Sequence, residues 1–183
     1  MTLATGQKLP VTVFSGFLGA GKTTSLELLK ARFACVDEPA RRVLAHERQA
    51  GGTGTGDQDP ARFISLMLDL ACRDFDRAPG QGPVLFDRGL PDLLAYAATY
   101  GLPDEAIRAA CRTRRYDREV LWFAPWAAIY ETDAERTLDY AGAIAFADQV
   151  ETACRSLGYE LVPVPQLPPA DRARWIADWL TRP

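Results

Sequence analysis

Gly16-Phe17-Leu18-Gly19-Ala20-Gly21-Lys22-Thr23 constrains this chain more than any other stretch. It fills the spacing G-x-x-x-x-G-K-[ST], which requires a strand before it and a helix after it. Val11-Thr12-Val13-Phe14 reads as that strand, and Lys22 to about Phe33 reads as that helix, with Leu26, Leu29 and Phe33 on one face. A glycine-rich turn in this context aims successive backbone N–H groups and a helix N-terminus at one point, where a phosphate can sit. Lys22, one of only three lysines, would neutralise the β- and γ-phosphates, and the Thr23 hydroxyl would hold Mg²⁺. Gly16, Gly19, Ala20, Gly21, Lys22, Thr23 and Thr24 are therefore the expected nucleotide-binding residues.

The rest of the chain alternates short β-rich runs with longer helical ones, as βαβ units on a parallel sheet do. Ala34-Cys35-Val36 reads as a second strand and Glu38 to about Ala50 as a helix. The glycines of 51–57 demand a loop, because either regular element would lose too much entropy there. Phe63, Leu66, Met67, Leu70 and Ala71 fall at helical spacing and predict a helix over about 60–78. Pro83-Val84-Leu85-Phe86-Asp87 is an apolar run ending in an acid, the pattern of a strand buried on both faces. Helices follow near 91–100 and 104–113, then a fourth strand at Glu119–Phe123 and a helical region from a Thr132-Asp133 cap to about Leu157. Tyr159–Val164 is the fifth strand, and a closing helix turns Ile176, Trp179 and Leu180 inward. The 183 residues thus predict a single three-layer α/β domain over 1–183 with five strands.

Composition narrows the function. A net charge of −3 lacks the cationic footprint of a dedicated nucleic-acid binder. Apolar stretches are too short to cross a membrane, and the first eight residues have no apolar signal core, so a cytoplasmic protein is expected. Cys35, Cys72, Cys111 and Cys154 are scattered, with no C-x-x-C pair, and read as buried, reduced thiols. His46 reads as a packing or surface residue.

Three more regions of the chain bear chemistry. In a parallel sheet the carboxyl ends of strands face the ligand crevice, and Asp37 and Glu38 follow the second strand there. Glu38 is the candidate base for an acceptor hydroxyl, with Asp37 and Asp87 as alternatives, and Asp37 and Arg41, one turn on, are expected substrate contacts. Asp87 ends the third strand where an acid would hold Mg²⁺ through a water, and Arg88 would enter the same crevice as a substrate contact. A cation over the γ-phosphate would come from Arg136, after the fourth strand, or from Arg112, Arg114, Arg115 and Arg118 before it.

The phosphate loop, Glu38-Pro39-Ala40-Arg41, Phe86-Asp87-Arg88-Gly89 with Asp92 and Tyr96, and Tyr130-Glu131-Thr132-Asp133-Ala134-Glu135-Arg136 together resemble small P-loop kinases related to nucleoside and nucleotide kinases. More narrowly, the chain resembles the compact "AAA-domain" ATPases or kinases akin to the ribosylnicotinamide kinase domain. The resemblance implies a five-stranded parallel sheet in the order 2-3-1-4-5, a lid around Arg136 within about 126–140, and a nucleotide base near the 163–165 loop. It also implies that Glu38 acts as the base. The phosphate loop resembles that of metal-chaperone GTPases as well, but the chain contains no asparagine, has no [NST]-K-x-D to read guanine and lacks a C-x-C-C metal motif. ATP and Mg²⁺ are therefore the expected cofactors. The expected activity is phosphoryl transfer to a hydroxyl of a small molecule, with no nucleic-acid or membrane partner. A regulatory ATP-binding switch with slow hydrolysis, acting on a protein partner, is the alternative.

Overall fold

The computed structural model describes residues 11–16, 19–79, 82–129 and 139–182. Strands β1 (Val11–Gly16), β2 (Ala34–Val36), β3 (Val84–Asp87), β4 (Glu119–Phe123) and β5 (Glu160–Pro163) pair in parallel as one sheet, ordered β2-β3-β1-β4-β5. The helices are α1 (Lys22–Leu29), α2 (Pro39–Ala50), α3 (Pro60–Arg77), α4 (Leu90–Tyr100), α5 (Glu105–Thr113), α6 (Tyr140–Ser156) and α7 (Pro169–Leu180). α1 packs on α7, while α4 packs on α3, α5 and α6, so two helical layers enclose the sheet in a three-layer P-loop fold.

The central strands carry the core. Val13 and Phe14 of β1, all four residues of β3, and Val120, Leu121, Trp122 and Phe123 of β4 are buried. At one edge, β2 is short and half-exposed. The register Phe14↔Asp87 and Gly16↔Phe123 brings the carboxyl ends of β1, β3 and β4 level, so the groups that follow these strands meet at one end of the sheet.

Several boundaries differ from expectation. α1 stops at Leu29 rather than Phe33, because the chain must turn through Lys30–Phe33 to enter β2; Phe33 still packs on the core from this turn. α2 starts at Pro39, with Glu38 outside it as the cap residue. α6 starts at Tyr140, where the Asp139 carboxylate accepts the Gly142 N–H at 2.8 Å. The expected Thr132-Asp133 cap lies outside the described residues. Ile176 is fully buried, whereas Trp179 and Leu180 are only partly so, because α7 lies along the outside of α1. Of the four free cysteines, Cys111 and Cys154 are buried, but Cys35 on the edge strand and Cys72 are half-buried.

Candidate active site

The loop after β1 is shaped by glycine. Gly16, Gly19 and Gly21 all have φ between 78° and 119°. At Gly16 a Cβ would lie 2.4 Å from the Phe123 carbonyl oxygen, so β1 and β4 close on each other only without a side chain there. Gly21 caps α1 in the left-handed conformation, and Lys22 and Thr23 open the helix. Ala20 is buried, Thr23 is half-buried and Thr24 is exposed.

Lys22 is buried at the start of α1. Burial first, and then the repulsion of Arg88, push its pKa down to about 7, against the upward pull of Asp87, Glu38 and Asp92. Asp87, at the end of β3, accepts the Thr23 hydroxyl on Oδ2 at 2.6 Å. Its Oδ1 is buried without a hydrogen-bond partner, and burial together with the Glu38 charge raises its pKa. That orphaned carboxylate oxygen beside a hydroxyl is a donor set suited to a hard cation such as Mg²⁺. No group of three metal-ligating side chains occurs among the described residues, so such an ion would take its remaining ligands from phosphate oxygens and water.

Arg88 lies behind this pair and is 2% exposed. As β3 ends the chain must swing into α4, and Arg88 makes the turn at φ 65°, a left-handed conformation costing roughly 1–3 kcal/mol for a residue with a side chain. Its bonds hold it there. The backbone N–H donates to Phe14 O at 2.9 Å, Nε to Glu38 Oε1 at 3.1 Å, Nη1 to Asp92 Oδ1 at 2.7 Å and Nη2 to Gly16 O at 3.2 Å. Asp92, fully buried in the first turn of α4, also accepts Ser15 Oγ at 2.6 Å and Gly89 N–H at 3.0 Å. Glu38 accepts Arg41 Nε on its other oxygen at 3.2 Å. Lys22, Arg41 and Arg88 thus meet Glu38, Asp87 and Asp92 at the carboxyl ends of β1, β2 and β3.

Asp37 does not join them. Its carboxylate pairs with Lys30 at 3.1 Å and is mostly exposed, because Asp37 faces the end of α1 while Glu38, at the N-cap position of α2, turns inward to Arg88. Arg88 contacts Glu38 and Asp92 rather than standing open to a ligand, because two buried carboxylates and a carbonyl take up its donors. Arg136 lies outside the described residues. The rival arginines precede β4, and five residues of strand place Arg118, at its start, roughly 17 Å from the phosphate-loop end of the sheet. Three of them are also engaged: Arg114 grips Asp76 at 2.9 and 2.8 Å, Arg118 pairs with Glu160, and Arg115 donates to Leu157 O at 2.9 Å. Residues 163–166 run beside the end of β4, where Val164 N–H donates to Trp122 O at 2.8 Å and Gln166 Nε2 to Pro125 O at 3.1 Å.

Outside the cluster, the glycine run wraps the end of α2. Gly51 terminates the helix, and the buried Glu47 carboxylate accepts Gly54 N–H at 2.7 Å and Arg62 Nε at 3.3 Å. A cavity of about 410 Å³ there is lined in part by Leu44, Glu47, Arg48 and Asp57. His46 is exposed beside it, and Tyr96 packs edge-on between Phe63 and Phe146 in the core. Sequence reasoning missed Arg172, a buried guanidinium on α7 that touches the phosphate loop; one arginine among several in a closing helix carries no signal for that role.

The chain has a three-layer α/β P-loop NTPase fold of kinase-like type. Residues 11–172 match the AAA domain family, and the chain belongs to that family. No curated protein matches the chain significantly. Solved structures do. A deoxyadenosine kinase from M. mycoides with bound dATP is 15% identical with a TM-score of 0.64, the match covering 96% of this chain and 99% of that one. A NadR protein in complex with NR is 19% identical with a TM-score of 0.68, over 93% of this chain but 51% of the NadR chain. Shikimate kinase from Acinetobacter baumannii is 17% identical with a TM-score of 0.60, over 93% of this chain and 92% of that chain. At these identities the likeness is one of fold. Among the described residues no helix is long and apolar enough to cross a membrane.

Proposed function

We propose that the protein is an Mg-ATP-dependent phosphotransferase that moves the γ-phosphoryl group of ATP to a hydroxyl of a small molecule. The observation that carries this reading is Glu38. Binding a nucleotide requires the loop, Lys22, Thr23 and Asp87, but not a second buried carboxylate held by two arginines at the same end of the sheet. Each Glu38 oxygen accepts one arginine N–H and keeps a lone pair with which to orient an acceptor hydroxyl. The acceptor oxygen then forms a bond to the γ-phosphorus, the bond from that phosphorus to the β–γ bridging oxygen breaks, the proton passes to Glu38, and ADP leaves.

In this reading Lys22 and the backbone N–H groups of Gly19 to Thr23 would hold the β- and γ-phosphates, and Thr23 with Asp87 would hold Mg²⁺, which would supply charge neutralisation to the polyphosphate. Arg41 borders the acceptor, Arg88 fixes Glu38, and Arg136 is the residue proposed to neutralise the γ-phosphate. The kinase names carried by similar folds are consistent with this chemistry and leave the acceptor open.

The experiment is a screen of pooled metabolites for a mass gain of one phosphate that depends on ATP and Mg²⁺, with ADP measured in parallel. One acceptor phosphorylated in stoichiometric ratio to ADP is the expected result. ADP formation without any phosphorylated acceptor, unchanged by Glu38→Gln, would instead support a slow ATP-hydrolysing switch.

A further inference from the structure

Arg172 lies in the first turn of α7 and is 3% exposed. Its Nη1 donates to Ala20 O at 3.1 Å and its Nη2 to Gly21 O at 3.3 Å. The guanidinium carbon stands 5.7 Å from the centres of the Phe123 and Trp126 rings. Its Nε is buried and donates to nothing, and among the described residues no carboxylate pairs with it. Arg88, the other buried arginine of this region, has two carboxylate partners. A buried guanidinium without one costs the fold stability, and two ring faces and two carbonyls offset that cost only in part.

The two carbonyls indicate what the cation does. A peptide oxygen and the N–H of the next residue belong to one planar unit, so Ala20 O shares its unit with Gly21 N–H, and Gly21 O with Lys22 N–H. Donation to the oxygen polarises the unit and makes the N–H at its other end a stronger donor. Gly21 O also accepts Ser25 N–H at 3.1 Å and Ser25 Oγ at 3.0 Å, so Arg172 is the charged member of a set that fixes this peptide. Gly21 is matched to the arginine as well, because a Cβ there would lie 2.4 Å from Arg172 Nη2.

We propose that Arg172 is a positioning residue of the phosphate site: a buried cation behind the loop that orients and strengthens the Gly21 and Lys22 N–H donors without touching the ligand. α7 thereby becomes part of the polyphosphate site. This rests on the reading of residues 16–23 as a phosphate loop.

The test compares Arg172→Met, which keeps the aliphatic length and removes the charge, with Arg172→Lys, which keeps the charge. Calorimetric titration with ADP and AMP in Mg²⁺ and thermal unfolding of the ligand-free proteins are the readouts. Arg172→Met should unfold at the wild-type temperature or higher, bind ADP about tenfold more weakly, and bind AMP unchanged, since AMP lacks the β-phosphate that these N–H groups hold. Arg172→Lys should recover most of the lost ADP affinity. A lowered unfolding temperature with ADP and AMP weakened equally would make Arg172 a structural prop and overturn the proposal. If wild type and Arg172→Met bind ADP equally, only this inference falls; if wild type binds no ADP, the phosphate-loop reading falls with it. Should Arg172→Met fail to fold, Arg172→Gln, uncharged but able to donate to one carbonyl, is judged by the same ADP-to-AMP ratio.

Discussion

The Thr23 hydroxyl donates to Asp87 Oδ2 at 2.6 Å, leaving Oδ1 of the same carboxylate buried and unpartnered. Burial and the nearby Glu38 charge raise the pKa of this group, and a divalent cation would reverse that. Asp87→Asn, equal in shape but uncharged, should therefore weaken ADP binding by at least about tenfold in Mg²⁺ and by little in EDTA. Calorimetry under both conditions decides it; equal losses in the two would take Asp87 off the metal.

The lowered pKa of Lys22 makes nucleotide binding pH-dependent. Burial and Arg88 push it down to about 7 in the free protein, and a bound polyphosphate would raise it again. Above about pH 7 the complex then holds a proton that the free protein lacks, so ADP affinity in EDTA should fall as pH rises, by up to about tenfold per unit. Proton uptake, read from titrations in buffers of different ionisation enthalpy, checks the sign. Affinity that is flat or rising between about pH 7 and 9 would refute it.

Glu38→Gln should leave ADP affinity within a few-fold of wild type. Once an acceptor is known, it should lower kcat by about 10²–10⁴-fold, the usual contribution of a general base. Wild-type turnover in this variant would exclude Glu38 as the base and leave Asp87, since Asp37 is turned toward Lys30.

Asp92 is fully buried and accepts Ser15, Arg88 and Gly89. Asp92→Ala strips a carboxylate from a buried guanidinium and should destabilise the protein by about 3–5 kcal/mol in urea unfolding. A loss below about 1 kcal/mol would mean that Glu38 alone suffices for Arg88.

Alkylation in denaturant without reductant should modify Cys35, Cys72, Cys111 and Cys154 alike, since all four are free. In the native protein at neutral pH all should react slowly. Burial raises each thiol's pKa, Cys35 to about 11 and Cys111 to about 12, so little thiolate is present. Fast native labelling of Cys111 would contradict its burial.

The phosphate loop and the parallel α/β alternation were legible in the sequence because both are local. A fixed spacing of glycines, lysine and threonine between strand and helix is written in consecutive residues, and apolar runs such as Val84–Phe86 declare strands buried on both faces. Helix ends were less legible: nothing local says that α1 must stop at Leu29, since the distance back to the sheet edge sets that turn. The site was half legible. That Lys22 and Thr23 after the loop, and Glu38 and Asp87 after β2 and β3, lie at one end of the sheet follows from their places along the chain, whereas which of Glu38 and Asp37 joins them depends on which one turns inward at the α2 cap.

Tertiary structure alone decided the partners of the arginines. Arg88 and Glu38 are 50 positions apart, and Arg172 lies 151 positions from Gly21. No periodicity in the chain links them, because hydrogen bonds to a buried guanidinium depend on where whole helices land on the sheet. The sequence by itself determined a phosphate loop on a parallel α/β scaffold. Packing α4 and α7 against that scaffold turned Arg88, expected to face a substrate, and the unremarked Arg172 into its buried supports, since charges removed from water must find carboxylates, carbonyls or ring faces wherever the fold provides them.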